Sequence, residues 1–166
     1  VGRTWWAAAV VVQPALLVAC GLVYNQLGGT PPVAALPVAS VSAMAVNVFF
    51  LLLATLGEEI GWRGLALPAL QQRYSALKAS IVLGLVSATW HIPFWLLLDT
   101  YDQFGVGYLL LNYLMILPMT LYLTWLFNRG QSSLLLPVAL HVSFNIVNVA
   151  WMPVTTTVGA FVIFVA

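Results

Sequence analysis

The chain has 166 residues, of which 63% are hydrophobic and only 5% are charged, and its mean hydropathy is +1.03. This composition excludes a soluble domain of this size, because too few polar side chains remain to cover a surface in water. The net charge of +1 comes without a basic run that would indicate a nucleic-acid partner, and the single cysteine excludes an internal disulfide framework. We therefore expect a multi-pass protein of the cell membrane, with the lipid bilayer as its surroundings.

Apolar runs of about 20 residues, the length that crosses a bilayer as a helix, recur along the chain. We predict an all-α, polytopic transmembrane helix bundle with five to six spans, forming one integral-membrane domain over residues 1–166. Between the second and third spans, Gly61, Gly64 and Pro68 indicate a broken helical extension over residues 60–74 that returns to the surface. The predicted spans are 5–24, 38–57, 78–98, 106–127 and 134–150, with 151–166 as a short or truncated sixth.

The few charged residues alternate between the ends of the predicted spans. Because cytoplasmic loops carry an excess of Lys and Arg, this alternation predicts a cytoplasmic N-terminus. The chain starts at Val1 and stops within an apolar run, so we expect a fragment of a longer protein. The basic residues are Arg3, Arg63, Arg73, Lys78 and Arg129, and the acidic residues at the opposite ends are Asp99 and Asp102.

Two adjacent carboxylates, Glu58 and Glu59, follow a long stretch from Thr4 to Gly57 that contains no Asp, Glu, Lys, Arg or His. A carboxylate in apolar surroundings is costly, so each of these acids needs a partner or a purpose. On a helix, Glu59 and Arg63 are four residues apart with the acid on the N-terminal side, which is the favourable order. This spacing predicts supporting roles for Glu59 and Arg63 and leaves Glu58 for chemistry. The alternative is that both acids cap a helix end among the lipid headgroups.

The two histidines of the chain both lie within predicted spans. His91 follows Lys78 by 13 residues and His141 follows Arg129 by 12. At about 1.5 Å per residue, both histidines reach a similar depth. Asn145 lies four residues after His141 and shares its helix face. Such polar groups inside a membrane indicate a polar cavity, although a structural role as interhelical hydrogen-bond donors is the alternative.

Glu58, the two histidines and Asn145 are suited to hydrolysing an amide with water as the nucleophile. A carboxylate in apolar surroundings is a competent general base near neutrality, and His91 would help to hold the water. His141 and Asn145 would donate hydrogen bonds to the developing oxyanion, where one donor contributes roughly 10²–10³ in rate. The sequence contains no Gly-x-Ser-x-Gly elbow, His-Glu-x-x-His zinc helix or phosphate-binding glycine loop.

Three motifs, Glu58-Glu59-x-x-x-Arg63, Trp90-His91-x-Pro93 and His141-x-x-x-Asn145, resemble the signatures of the CAAX-protease and bacteriocin-processing (CPBP, or Abi) intramembrane endopeptidases. The resemblance covers about residues 38–149 and implies an all-helical, glutamate-dependent hydrolase without a metal cofactor. The implied roles are Glu58 as base, His91 as its partner on the water, His141 and Asn145 as oxyanion hole, and Glu59 and Arg63 in support.

The resemblance also implies a substrate class and shows one departure. Members of this family cleave prenylated C-terminal CaaX peptides or take part in bacteriocin maturation and immunity, which implies a peptide or lipidated protein as partner. The second motif of the family usually has an aromatic residue four positions before its histidine, where this chain has Ser87. This departure affects the expected shape of the substrate pocket more than the identification of His91.

Three alternatives remain open from the sequence. Glu58, His91 and His141 are of the types that ligate zinc with an open fourth position, which would make the protein a zinc-dependent protease. The same polar cavity would also suit a non-catalytic scaffold or immunity protein that binds a peptide. A proton-coupled transporter fits less well, because five or six spans without an inverted repeat are not typical of that class.

Overall fold

The computed structural model of the protein describes residues 2–26, 41–97 and 106–151, and every regular element in these ranges is a helix. The prediction of an all-α fold is therefore confirmed for the described residues. The α-helices are α1 (Arg3–Ala7), α2 (Gln13–Gln26), α3 (Val41–Glu59), α4 (Leu67–Gln71), α5 (Ala76–Leu97), α6 (Val106–Arg129) and α7 (Leu135–Trp151). Two further segments, Ala8–Val12 and Ile60–Ala66, are π-helical.

Two helices in the described part of the chain contain stretches long and apolar enough to cross a membrane. These stretches are Ala76–Pro93 in α5 and Leu109–Arg129 in α6, and the apolar stretch Leu135–Ile146 in α7 is shorter. The bundle of five to six spans stays a prediction. Apart from Trp151, the predicted sixth span over residues 151–166 lies outside the described residues.

The chain divides into two compact units. The first unit comprises Val1–Gly57 and Val138–Val165, and the second is built on Glu58–Pro137. The first therefore holds α1, α2, most of α3 and most of α7, whereas the second holds α4, α5, α6 and the Ile60–Ala66 segment. The single domain over residues 1–166 stays a prediction.

In the first unit, α7 contacts the π-helical segment near the N-terminus. The hydroxyl of Ser143 lies 3.4 Å from the carbonyl oxygen of Ala9 and donates to the carbonyl oxygen of Leu140 at 2.8 Å. Ala9 is fully buried. A small residue lets two helices approach closely, which brings the Ser143 hydroxyl within reach of a backbone carbonyl.

One face of the helical stretch from α3 to α4 is buried between Leu51 and Leu67, because residues four apart lie on the same side of a helix. The glycines within this stretch do not break it. The widened turns of the π-helical segment Ile60–Ala66 take the place of the predicted break, and α4 follows directly after it. The buried residues at this spacing are Leu51, Thr55, Glu59, Arg63 and Leu67.

In the second unit, α5 and α6 run antiparallel and pack closely at Gly84. A Cβ atom at Gly84 would lie 2.9 Å from Cδ2 of Leu117 and 3.4 Å from Cβ of Thr120. The absent side chain therefore allows α6 to approach the backbone of α5, as small residues do in membrane helix pairs. A core of buried residues joins α4, α5 and α6, and it consists of Leu67, Ala79, Leu83 and Phe127 with Trp62, Ala66, Leu70 and Leu134 packed against it.

Candidate active site

Glu59 and Arg63 form a buried ion pair. Nη1 of Arg63 donates to Oε1 of Glu59 at 2.9 Å, and the two side chains are 3% and 0% exposed. Opposite charges removed from water stabilise one another only when they are close and hydrogen-bonded, as these two are. The ion pair that the four-residue spacing predicts is therefore present, and it holds Glu59 on the buried face of its helix.

Glu58 has different surroundings from its neighbour. It is only partly buried, whereas Glu59 is fully buried. Successive residues on an α-helix point about 100° apart, so the side chain of Glu58 leaves the buried face that holds Glu59. Its charge nevertheless acts on Arg63, as that of Glu59 does. Of the two carboxylates, Glu58 is therefore the one with exposed surface.

His91 is held on α5 by a hydrogen bond to the backbone. It is buried, and its Nδ1 lies 2.7 Å from the carbonyl oxygen of Ser87, one turn earlier. A carbonyl oxygen only accepts, so Nδ1 carries a proton and the lone pair of the neutral ring is on Nε2. This contact uses the backbone of Ser87, so the orientation of the ring does not require an aromatic side chain at that position.

Two side chains of α6 form hydrogen bonds with the turn of α5 just before His91. Asn112 donates from Nδ2 to the carbonyl oxygen of Ala88 at 2.8 Å, and both residues are buried. The hydroxyl groups of Thr89 and Tyr113 are 2.9 Å apart, and that of Thr89 also donates to the carbonyl oxygen of Leu85 at 2.8 Å. These contacts tie α6 to the turn of α5 that precedes His91.

In the first unit, α7 presents His141 and Asn145 on one buried face, with 7% of each residue exposed. Nδ2 of Asn145 donates to the hydroxyl of Thr55 on α3 at 3.5 Å. The prediction that His141 and Asn145 share a helix face is confirmed by their common burial and spacing. Thr55 is itself 1% exposed, so the contact joins two buried side chains from helices far apart in the sequence.

The predicted site residues are distributed over the two units. The second unit contains Glu58, Glu59, Arg63 and His91, and the first contains His141 and Asn145. Within the second unit, the described residues form no group of three side chains of metal-ligating type. The catalytic roles inferred from the sequence stay predictions.

Thr55 and Asn112 form hydrogen bonds near the predicted site residues, and the residue pattern did not predict either of them. Thr55 carries only a weak signal, because threonine is common in apolar helices, but it lies four residues before Glu59 on the same helix face. Asn112 offers a stronger signal, since it is the sole amide side chain in the predicted span 106–127. An amide in an apolar span typically serves an interhelical hydrogen bond.

Comparison with known proteins gives two matches. The family model described as type II CAAX prenyl endopeptidase Rce1-like matches residues 40–147, a range that contains all the predicted site residues. A protein named CAAX prenyl protease 2 from Methanococcus maripaludis is 38% identical over 103 residues. The alignment covers 60% of this chain and 38% of that protein, so the chain spans well under half the length of the curated relative it matches. No solved structure matches the chain.

Proposed function

The chain belongs to the type II CAAX prenyl endopeptidase Rce1-like family, and from this premise we propose that it hydrolyses a peptide bond in a membrane-associated substrate with water as the nucleophile. The observation that carries the proposal is the contrast between the two adjacent carboxylates. Arg63 binds Glu59 in a buried ion pair, whereas Glu58 retains exposed surface. A general base must reach the water that it deprotonates, and of the two acids this exposure favours Glu58.

In the proposed reaction, Glu58 takes a proton from water and the resulting hydroxide bonds to the carbonyl carbon of the substrate. The carbonyl π electrons move to the oxygen, which becomes an oxyanion. When this tetrahedral intermediate collapses, the carbonyl re-forms, the carbon–nitrogen bond breaks, and Glu58 passes its proton to the leaving nitrogen. General acid–base catalysis of this kind contributes about 10²–10⁴ in rate.

His91 is proposed as the partner of Glu58 on the water. The hydrogen bond from its Nδ1 to the Ser87 carbonyl selects the tautomer whose Nε2 accepts a hydrogen bond. An accepting nitrogen orients a water molecule by binding one of its protons, while the base takes the other. The hydrogen bond from Asn112 to Ala88 supports this assignment, because it steadies the turn of α5 that precedes the histidine.

His141 and Asn145 are proposed as donors to the oxyanion. Both side chains are buried on one face of α7, where a hydrogen bond to developing charge is stronger than in water. The contact between Asn145 and Thr55 restricts the orientation of the amide before substrate binds. A donor that is oriented in advance does not have to reorganise during the reaction.

A prenylated C-terminal peptide is the substrate we propose. The support is the name of the relative from Methanococcus maripaludis, which is a CAAX prenyl protease, together with the apolar character of this chain. A substrate that carries a lipid would be concentrated at the membrane surface with the enzyme. Neither match names bacteriocin processing.

Replacing Glu58 tests the proposal. The change Glu58→Gln keeps the size of the side chain but removes its ability to take a proton. We expect it to lower kcat for a prenylated CaaX peptide by about 10²-fold or more, with unchanged thermal unfolding. The measurement is peptide cleavage by the full-length protein reconstituted in liposomes, followed by mass spectrometry of the products.

A control variant at the neighbouring acid makes the result specific, and three outcomes decide between the alternatives. Glu59→Gln removes the same charge one residue away, and we expect it to lower stability because it leaves Arg63 buried without its ion pair. Cleavage by Glu58→Gln at the wild-type rate would refute Glu58 as the base. Loss of wild-type cleavage on chelation, with recovery on adding Zn²⁺, would instead favour the zinc-dependent alternative. Peptide binding without cleavage by the wild-type protein would favour the scaffold alternative.

A further inference from the structure

A groove of about 290 Å³ lies in the second unit, between the first turns of α5 and the last turns of α6. Leu77 of α5 and Leu121 and Trp125 of α6 form apolar parts of its walls. Ser80, also in the wall, is eleven residues from His91 on the same helix, or about 16 Å at the rise of an α-helix. The groove is therefore separate from the part of α5 that holds His91.

One end of the groove is polar and positively charged. Asn128 and Arg129 line it there, and both residues are exposed. Arg129 forms no ion pair with any carboxylate in the described part of the chain. Lys78 follows directly after the lining residue Leu77, and its ammonium lies 4.6 Å from the centre of the Tyr74 ring. Lys78 itself does not line the groove, so an anionic group at this end would meet the guanidinium of Arg129.

A buried hydroxyl lies further along the same groove. Thr124 is 2% exposed, and its Oγ1 has no hydrogen-bond partner among the described residues. A buried hydroxyl without a partner is unfavourable, so a hydrogen-bond acceptor supplied by a ligand would stabilise it. Thr124 precedes Asn128 by four residues, which places it about 6 Å deeper along α6. The groove therefore presents one cationic side chain, Arg129, at its mouth, a hydrogen-bond donor one turn below, and apolar walls.

We propose that this groove binds one anionic phospholipid from the surrounding bilayer. The phosphate contacts Arg129 and Asn128, the Thr124 hydroxyl donates to a glycerol ester carbonyl, and an acyl chain lies along Trp125 and the deeper Leu121. Each part of the lipid then meets a group of matching chemistry, in the order in which a phospholipid presents phosphate, ester and hydrocarbon. Basic pockets between membrane helices are typical sites for anionic headgroups.

Lipid retention tests this proposal directly. The full-length protein is purified from nanodiscs containing equal amounts of phosphatidylglycerol and phosphatidylcholine, and native mass spectrometry counts the lipids that stay bound. We expect wild-type protein to retain one phosphatidylglycerol in preference to phosphatidylcholine. The change Arg129→Gln should weaken that retention about fivefold, since one basic side chain near an anionic headgroup contributes about that factor. Thr124→Val should weaken it to a smaller extent.

Arg73→Gln is the matched control. It removes one positive charge from the exposed turn before α5 without touching the groove, and we expect it to leave retention unchanged. Equal losses in Arg129→Gln and Arg73→Gln would overturn the proposal, because they would indicate general attraction to surface charge. Equal retention of both lipids by the wild type would overturn it too. Displacement of the lipid by a prenylated peptide would show that the substrate is the occupant and would also refute it.

Discussion

Glu58 and Glu59 are chemically identical neighbours that the fold places in different surroundings. The buried face of the helix takes Glu59 and supplies Arg63 as its partner at 2.9 Å. Glu58 lies outside that face and is only partly buried. A one-residue step along a helix therefore separates an acid in a structural ion pair from an acid that can meet water, which is the basis for assigning them different roles.

Breaking the buried pair from one side should be costly. We expect Arg63→Met to lower the free energy of unfolding by about 3–5 kcal/mol, because it leaves the Glu59 carboxylate buried without its partner. The double change Glu59→Gln with Arg63→Met should recover part of that loss, since no buried charge is then left alone. Denaturation of the full-length protein in detergent micelles measures both.

The control for this pair is Arg73→Met, at an exposed arginine in the turn before α5. Surface changes of this kind usually stay within about 0.5 kcal/mol. If Arg63→Met were no more harmful than Arg73→Met, the pair would not be important for stability. If the double variant were as unstable as Arg63→Met, the unpaired charge would not be the cause of the loss.

The residue spacing revealed the pairing of two charged side chains on one helix, but it did not reveal which backbone groups or which residues of other helices the remaining polar side chains contact. The Glu59–Arg63 pair follows from a four-residue spacing. The partner of His91 is a backbone carbonyl, which no residue pattern reveals. The partner of Asn145 is Thr55, ninety residues away, and it belongs to a residue type with no distinctive signal.

The pairing of α5 with α6 organises the second unit. Gly84 allows the close approach, and Asn112 adds a hydrogen bond across the same interface one turn away. In a membrane, where lipid tails are as apolar as leucine side chains, such contacts replace the hydrophobic effect as the source of helix association. The groove at the other end of this pair arises from the same two helices.

A bulky side chain at the close approach should separate the two helices. We expect Gly84→Leu to lower the free energy of unfolding by about 1–3 kcal/mol, because the added atoms overlap Leu117 and Thr120. Gly107→Leu is the matched control near the start of α6, where a Cβ would meet nothing within 4 Å. It should be neutral or slightly stabilising through helix propensity. Equal effects of the two changes would show that the approach at Gly84 does not matter.

The helix boundaries were predicted closely, because apolar runs and the charged residues around them are local features. The predicted spans 78–98 and 106–127 correspond to α5, Ala76–Leu97, and α6, Val106–Arg129. The segment Ile60–Ala66 was predicted as broken and is π-helical instead. Glycine lowers helix propensity at any position, so composition does not distinguish a break from a widened turn.

For the whole molecule, the distribution of basic residues predicts how the protein is oriented in the membrane. The turn before α5 and the turn after α6 should both face the cytoplasm, since Arg73 and Arg129 belong to them. We expect single cysteines placed at Gln72 and Gln131, both exposed, to react with an impermeant thiol reagent only after the membrane is opened. The experiment uses right-side-out vesicles and a cysteine-free background.

A cysteine in the predicted external loop, at Asp102, supplies the control that should react in intact vesicles. Labelling of all three positions from the outside would refute the predicted orientation. If α5 and α6 both cross the membrane, the cysteines placed at Gln72 and Gln131 must lie on the same side. Labelling of these two cysteines from opposite sides would therefore refute the crossing of the membrane by both helices.

The sequence by itself determined the membrane class, the helical fold, the Glu59–Arg63 pair and the family resemblance. These features depend on composition, on local apolar runs and on the geometry of a single helix, which is the same wherever the helix lies. Only the tertiary structure decided which acid is buried, that Asn145 meets Thr55, that Asn112 meets Ala88, and that a groove forms beside Arg129. Those contacts join helices whose separation along the chain sets no distance between them, so packing alone determines them.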